Sequence, residues 1–344
     1  MIPAAPFKAL QEVASSRSSA RHAGEYMSEI QALLADSLPL VELAVERATA
    51  GPAPLRDASA HLVLAGGKRV RPLTALLVHR VCGGNGQGVV PLASAVELIH
   101  SATLLHDDVM DEGEERRGRP ASRVLWGNLV SVLSGDLLLT SALELVEQSG
   151  VAGAMNDTLA TMRGLIGGEV AQLQARGKDD IGIDGYLEIA RGKTASLFSC
   201  ACRFGARSAG AASEVIDAAG RFGERVGVAF QIVDDVLDLE GVPHEVGKRL
   251  GHDLAEGKTT LPLALALAHA AAELRPLLVA ARAGDPLAAA KVSRAEPVRD
   301  ACIEARAFAL AETERGLHEL SLLPAGHVRE LLEALVRGLI HRRV

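Results

Sequence analysis

Apolar residues recur at three- and four-residue spacing along most of the chain. From about 23 to 50, Ile30, Leu33, Leu34, Leu38, Val41 and Val45 mark one face of an amphipathic helix, which Pro39 is placed to kink or split. Gly51-Pro52-Ala53-Pro54 reads as a turn, and a short helix after it stops at Gly66-Gly67. Further helices are predicted over about 73–82, 90–110, 125–151, 156–175, 186–204 and 211–239. From 259 to 344 the period stays helical, broken at Gly284-Asp285-Pro286 and at Pro324. No stretch alternates with the period of two that a half-buried strand requires. The expectation is an all-α fold, a single large helical bundle around a central cavity, spanning 21–344 behind a loose leader at 1–20.

Composition strengthens the helical reading. Hydrophobic residues make up 48% of the 344 positions but aromatics only 3%, and aromatic and β-branched residues are the usual strand formers. A net charge of −7 gives no basic surface of the kind nucleic-acid binding needs, so no nucleic-acid partner is expected. Cys82, Cys200, Cys202 and Cys302 are too few for a disulfide framework in a chain this long and read as buried free thiols. The first 20 residues lack an apolar signal core. The apolar run Leu261 to Ala272 is too short for a bilayer, which takes about 20 residues. No membrane span and a cytoplasmic location are expected.

The pattern becomes chemical at the end of the helix over 90–110. Leu104-Leu105-His106-Asp107-Asp108-Val109-Met110-Asp111 is an apolar helix that finishes in three carboxylates. Asp107 and Asp111 lie one turn apart on one face, and Asp108 lies on the flank. Acids at a helix C-terminus oppose the dipole and repel one another, which argues for a cation between them. A second copy, Asp234-Asp235-Val236-Leu237-Asp238, repeats the spacing far downstream. One such triplet alone would be a solvated turn; two of identical spacing, each ending an apolar helix, point to a shared purpose. The donors are oxygens only, which suits Mg²⁺ rather than zinc.

Cationic segments accompany the acids. Gly66-Gly67-Lys68-Arg69-Val70-Arg71-Pro72 delivers three cations at a helix start, a setting suited to oxyanions, although alone it reads equally as a basic turn. Glu114-Glu115-Arg116-Arg117-Gly118-Arg119-Pro120 presents adjacent guanidinium forks, unless the neighbouring glutamates pair with one of them. Gly192-Lys193-Thr194-Ala195 in mid-helix weakens that helix, which a break turning Lys193 and Thr194 into a cavity would explain. Lys248 and Lys258 lie in or beside a loop over 241–257. So many cations exceed the needs of one phosphate and suit two diphosphates.

Jointly, these segments resemble the trans-isoprenyl diphosphate synthases, the all-helical family that builds linear polyprenyl diphosphates. The likeness runs from about Gly66 to Pro262 and includes Gly-Gly-Lys-Arg-Val-Arg-Pro, both Asp-rich motifs and Gly-Lys-Thr-Ala. It implies the isoprenoid synthase bundle. It also implies that Lys68, Arg71, His100 and Arg117 hold isopentenyl diphosphate, and that Arg116, Lys193, Lys248 and Lys258 hold an allylic diphosphate. Asp107, Asp111 and Asp234 would be the principal Mg²⁺ ligands, three ions per site, with Asp108, Asp235 and Asp238 in support. Lys193, Thr194 and Gln231 would act at the allylic carbon, and the enzyme would work as a homodimer.

By the same resemblance the product grows along the first acidic helix, where a bulky residue one turn before the acids stops it early. Ala102 and Thr103 are small, and Val146, Thr158 and Met162 would lie deeper, so a long product of about eight isoprene units is expected. The local sequence is most similar to octaprenyl-type synthases. A geranylgeranyl diphosphate synthase shares every catalytic motif and stays an alternative, as does a farnesyl diphosphate synthase. A terpene cyclase does not need the second diphosphate site, and a non-catalytic partner subunit would be expected to have eroded acids.

Overall fold

The computed structural model describes residues 20–179, 181–240 and 252–341. It is all-α. Helices α1 (Ala20–Leu33), α2 (Leu38–Arg47), α3 (Leu55–Val63), α4 (Val70–Val81) and α5 (Val90–Met110) come first. A two-residue hairpin follows, β1 (Glu115–Arg116) with β2 (Arg119–Pro120). Then come α6 (Ser122–Trp126), α7 (Asn128–Gln148), α8 (Ala154–Ala175) and α9 (Gly182–Ala190). A π-helical turn over Arg191–Ala195 leads into α10 (Ser196–Ser208) and α11 (Ser213–Glu240). After α12 (His252–Ala255) the described chain ends in α13 (Leu261–Arg282), α14 (Pro286–Arg294), α15 (Glu296–Leu320) and α16 (His327–Ile340).

Local chemistry sets several of these boundaries. Pro39 does split the first predicted helix: it sits in the first turn of α2, where its missing N–H costs nothing. Asp285 caps α14 by accepting from the amides of Leu287 (2.8 Å) and Ala288 (3.3 Å), with Pro286 next in line. The hairpin was not expected from the sequence. Two-residue strands are too short to show alternation, and Arg117 and Gly118 turn it with positive φ.

The chain groups into two compact units, and the divisions fall inside continuous helices. Of the described residues, the first takes in 20–160, 197–223 and 317–339. Its core is built on α4 and α5. Leu73, Leu76, Leu77, Leu92, Leu98 and Ile99 there are fully buried, each contributing about 1.5–3 kcal/mol of transfer free energy. The second takes in the described residues of 161–196, 224–316 and 340–341. Its core joins Val228, Ile232, Val233 and Val236 of α11 to Leu261, Leu263 and Leu267 of α13, with Tyr186 and Leu187 of α9 packed in.

Two expectations are corrected. The cysteines are free, and Cys200, Cys202 and Cys302 are buried, but Cys82 is only half-buried. Among the described residues, three helical segments, Gln87–Met110, Asn128–Gln148 and Leu261–Arg282, have the length and hydropathy to cross a membrane. The last is 22 residues long, so the run Leu261 to Ala272 understated it.

Candidate active site

In the first unit, α5 ends where the sequence placed its end, at Met110, with Asp111 as its C-cap. Asp107 and Asp111 are half-buried, and the Asp111 amide donates to the Asp107 carbonyl at 2.8 Å. Asp108 is different. It is 1% exposed, and its Oδ1 accepts from Arg116 Nε at 2.8 Å and from Nη2 at 2.6 Å. Arg116 thus reaches back from the hairpin to the acidic helix. Arg117 donates to the backbone carbonyls of Leu62 (3.1 Å) and Gly66, tying the hairpin to the glycine turn.

The turn Gly66-Gly67-Lys68-Arg69 is held by a residue that sequence reasoning left without a role. Arg69 is 4% exposed and adopts φ +49° at the N-cap of α4. Its guanidinium donates to Glu42 Oε1 (2.8 Å), to Glu97 Oε1 (2.6 Å) and to the Val63 carbonyl (3.1 Å). One side chain therefore joins α2, α3 and α5. Only its place within the basic turn hinted at it; its two glutamates lie 27 and 28 residues away in sequence. Lys68 and Arg71 flank it, and the Arg71 guanidinium stacks over the Phe198 ring at 4.8 Å.

His100 stands one turn after Glu97 on α5. Loss of hydration, then the guanidiniums of Arg71, Arg117, Arg116 and Arg69, holds its imidazole well below the usual histidine range, so it is neutral. Desolvation likewise lowers Arg117, with Arg69 and Arg116 adding to the effect and Glu97 and Glu42 opposing it. Arg71, Arg117, Arg116 and Arg69 thus gather positive charge around His100. Of the residues read as setting product length, Ala102, Val146 and Thr158 are buried; Thr103 and Met162 are half-buried.

In the second unit, the weak Gly-Lys-Thr segment is the π-helical turn. A π-turn adds a residue to the helix and rotates the downstream side chains by about 100° relative to an unbroken helix. It carries Lys193, which pairs with Glu169 of α8, and Thr194, whose hydroxyl donates to Gln231 Oε1 at 2.6 Å. Gln231 Nε2 donates in turn to Asp235 Oδ1 at 2.7 Å. The other oxygen of Asp235 accepts from the Tyr186 hydroxyl at 2.6 Å. Tyr186 was invisible to motif reading: it lies 49 residues from Asp235, at a core position of α9.

Asp235 is 3% exposed. Burial, then the nearby Asp253, raises its carboxyl well above the ordinary range, against the pull of the Tyr186 and Gln231 hydrogen bonds. Burial and Asp235 likewise raise the Tyr186 phenol, which stays protonated. Asp238 is 6% exposed and accepts from the Asp253 amide at 3.3 Å, while Asp234 is half-buried. Lys258 pairs with Glu256 and lies 3.7 Å from Asp253. Lys248 lies outside the described residues.

Close backbone approach brings α8 against the π-turn. A Cβ on Gly192 would stand 2.7 Å from Gly168 Cα and 2.9 Å from the Gly164 carbonyl oxygen. Only hydrogens fit there.

The donor chemistry fits a hard divalent cation. Among the described residues no cluster of three or more metal-ligating side chains is already assembled. Asp107 and Asp111 in the first unit, and Asp234 in the second, are half-buried carboxylates. Such oxygens are the hard donors that Mg²⁺ takes in small number, filling its shell with water and substrate phosphate.

Acidic helix ends, guanidinium forks and an all-helical scaffold define a class of enzyme that handles prenyl diphosphates. Residues 52–295 match the Polyprenyl synthetase family. The chain is 35% identical over 312 residues to heptaprenyl diphosphate synthase component 2 of Geobacillus stearothermophilus, covering 90% of this chain and 97% of that one. It is 38% identical over 291 residues to an all-trans-nonaprenyl-diphosphate synthase (geranyl-diphosphate specific) of Rhodobacter capsulatus, covering 83% and 88%. The crystal structure of a polyprenyl synthase from Caulobacter crescentus CB15, complexed with calcium and isoprenyl diphosphate, is similar with a TM-score of 0.86 at 34% identity, over 92% of this chain and 98% of that one. This chain therefore belongs to the polyprenyl synthetase family of trans-isoprenyl diphosphate synthases and is a prenyl-transferring enzyme.

Proposed function

We propose that the enzyme condenses isopentenyl diphosphate with an allylic diphosphate to make a linear all-trans product of about eight isoprene units. Lys68, Arg71, neutral His100 and Arg117 hold isopentenyl diphosphate. Arg116, Lys193, Lys248 and Lys258 hold the allylic diphosphate. Asp107, Asp111 and Asp234 hold Mg²⁺, three ions per site, with Asp108, Asp235 and Asp238 supporting them. Bound there, the metal supplies positive charge toward the leaving diphosphate. Lys193 adds a charge on the same group, while Thr194 and Gln231 offer neutral dipoles to the allylic carbon as it becomes cationic. Held alongside, the isopentenyl double bond attacks that carbon, and the proton it then sheds passes to the departing diphosphate.

The long product rests chiefly on Ala102. It is buried on α5, five residues before Asp107, and brings almost no bulk. The buried Val146 and Thr158 are consistent with the same route. Relatives of similar identity bear names from short-chain isoprenyl to nonaprenyl synthase, so the second reading is a shorter product. Incubation with labelled isopentenyl diphosphate, farnesyl diphosphate and Mg²⁺, with sizing of the products, decides. A ladder ending near C40 is expected, and an end at C20 would remove the long-chain reading. Ala102→Tyr should shorten the product by several units; unchanged length would show that the chain does not pass this point. We also infer a homodimer in the cytoplasm; the dimer is supported by the apolar side chains that α7 leaves exposed.

A further inference from the structure

We propose that Tyr186 is a positioning residue that fixes the polarity of the Thr194–Gln231 pair, so that Thr194 meets the reacting carbon only with oxygen lone pairs. The proposal rests on the function proposed for this site, in which these two side chains flank the allylic carbon.

Four side chains form one unbroken line within the second unit: Thr194 hydroxyl to Gln231 carbonyl, Gln231 amide to Asp235 Oδ1, and Tyr186 hydroxyl to Asp235 Oδ2. All three links are 2.6–2.7 Å long. A glutamine amide can turn over, exchanging its donor end for its acceptor end at little cost in shape. Here the choice is set from outside. With Asp235 ionised, the form that the Tyr186 and Gln231 hydrogen bonds favour, each of its oxygens accepts from a donor, so the NH₂ of Gln231 faces Asp235 and its carbonyl faces Thr194. That carbonyl takes the only proton the Thr194 hydroxyl has. What remains on Thr194 Oγ1 is acceptor capacity.

The consequence is chemical. A hydroxyl whose proton is committed presents negative potential and favours a neighbouring carbocation. A hydroxyl with a free proton could instead turn it toward the leaving diphosphate and present its positive end to the carbon. Tyr186 holds the far end of the line. Without its phenol, Asp235 Oδ2 loses its donor, the carboxylate can rotate, and Gln231 is free to turn over. The site favours this tightness: Tyr186 is 5% exposed and Asp235 is 3% exposed, so water does not readily replace the missing donor. The π-turn places Thr194 at the head of the line, which gives that irregular turn a purpose beyond carrying Lys193.

Tyr186→Phe tests this, because it removes one oxygen and keeps the ring. In the full-length enzyme with Mg²⁺, farnesyl diphosphate and isopentenyl diphosphate, kcat should fall about tenfold, the order of one buried hydrogen bond. KM for isopentenyl diphosphate should stay unchanged. The decisive arm is a double-mutant cycle: in a Thr194→Val background, where only Gln231 is left to orient, Tyr186→Phe should cost clearly less than it does in the wild type. A purely structural tyrosine would give independent, multiplying losses, and that result would overturn the proposal, as would an unchanged kcat in the single variant. If the phenylalanine variant fails to fold, 3-fluorotyrosine at 186 keeps the shape and changes only the strength of the donor; an unaltered kcat there also overturns it. A wild-type enzyme that does not elongate at all removes the functional reading, and this proposal with it. A wild type that elongates with an additive cycle removes the proposal alone.

Discussion

Arg69 shows how one side chain in a run of cations takes a role its neighbours do not. Lys68, Arg69 and Arg71 look interchangeable on paper. The backbone separates them: at φ +49° the Arg69 side chain turns inward to Glu42 and Glu97. A buried cation left with one partner removed typically costs about 3–5 kcal/mol. Glu97→Gln should therefore lower the urea midpoint clearly and raise KM for isopentenyl diphosphate more than KM for the allylic substrate, since the basic turn loses its anchor. Equal effects on both constants would show that Arg69 does not organise that turn. His100 gives a pH dependence. Its folded pKa lies below the unfolded value, so below about pH 6.5 the unfolded chain binds a proton that the folded one does not. Stability should rise as pH climbs toward neutrality. Thermal melts at about pH 5.5 and 7.5, either side of that value, should differ in that sense, and the difference should shrink in His100→Gln. The Asp-rich motifs could be read from the sequence because their chemistry is carried by spacing within one helix. Tyr186, Glu42 and Glu97 could not be, because they join the site only through contacts across dozens of residues.

At the scale of elements, the informative irregularity is the π-turn at Arg191–Ala195. A helix-weakening Gly-Lys-Thr predicts a break, and the break is there; its form, one added residue rather than a kink or a loop, depends on hydrogen bonding that periodicity does not record. Deleting Arg191 would restore regular α-helix and turn Thr194 away from Gln231. The expected result is a chain with nearly unchanged helical circular dichroism and a loss of elongation of about a hundredfold or more, the size that follows from the role proposed for Thr194 and Gln231. Retained activity would mean the turn is incidental. The hairpin at Glu115–Pro120 was the element least accessible from sequence, since strands of two residues carry no alternation to detect. It matters because Arg116 and Arg117 take opposite directions from it, one to Asp108 and the other to the carbonyls of Leu62 and Gly66.

For the whole molecule, the imbalance between apolar content and burial is the main physical fact. The segment ending in α5 satisfies membrane-like hydropathy but has 72% of its apolar window buried, whereas α7 satisfies it with only 33% buried. Leu129, Val132 and Leu133 of α7 remain exposed, and Leu129 is 72% exposed. Contiguous apolar surface of this kind needs a cover. A second copy of the chain is the cover we infer. Replacing Leu129 and Leu133 with Asp should give a monomer by light scattering while leaving the fold intact; a variant that stays dimeric would place the contact elsewhere. The sequence shows that α7 is apolar, but the share left uncovered by its own chain is a property of packing.

The contact between Gly168 and Gly192 has a consequence for how this family can vary. Most packed pairs can drift, because a larger residue on one side is accommodated by a smaller one on the other. Here both partners already carry the smallest side chain there is, and a Cβ on Gly192 meets backbone rather than a movable group. No compensating exchange exists. Among relatives the two positions should be fixed together and show no covariation, so a search for correlated substitutions would pass over this close approach beside the π-turn.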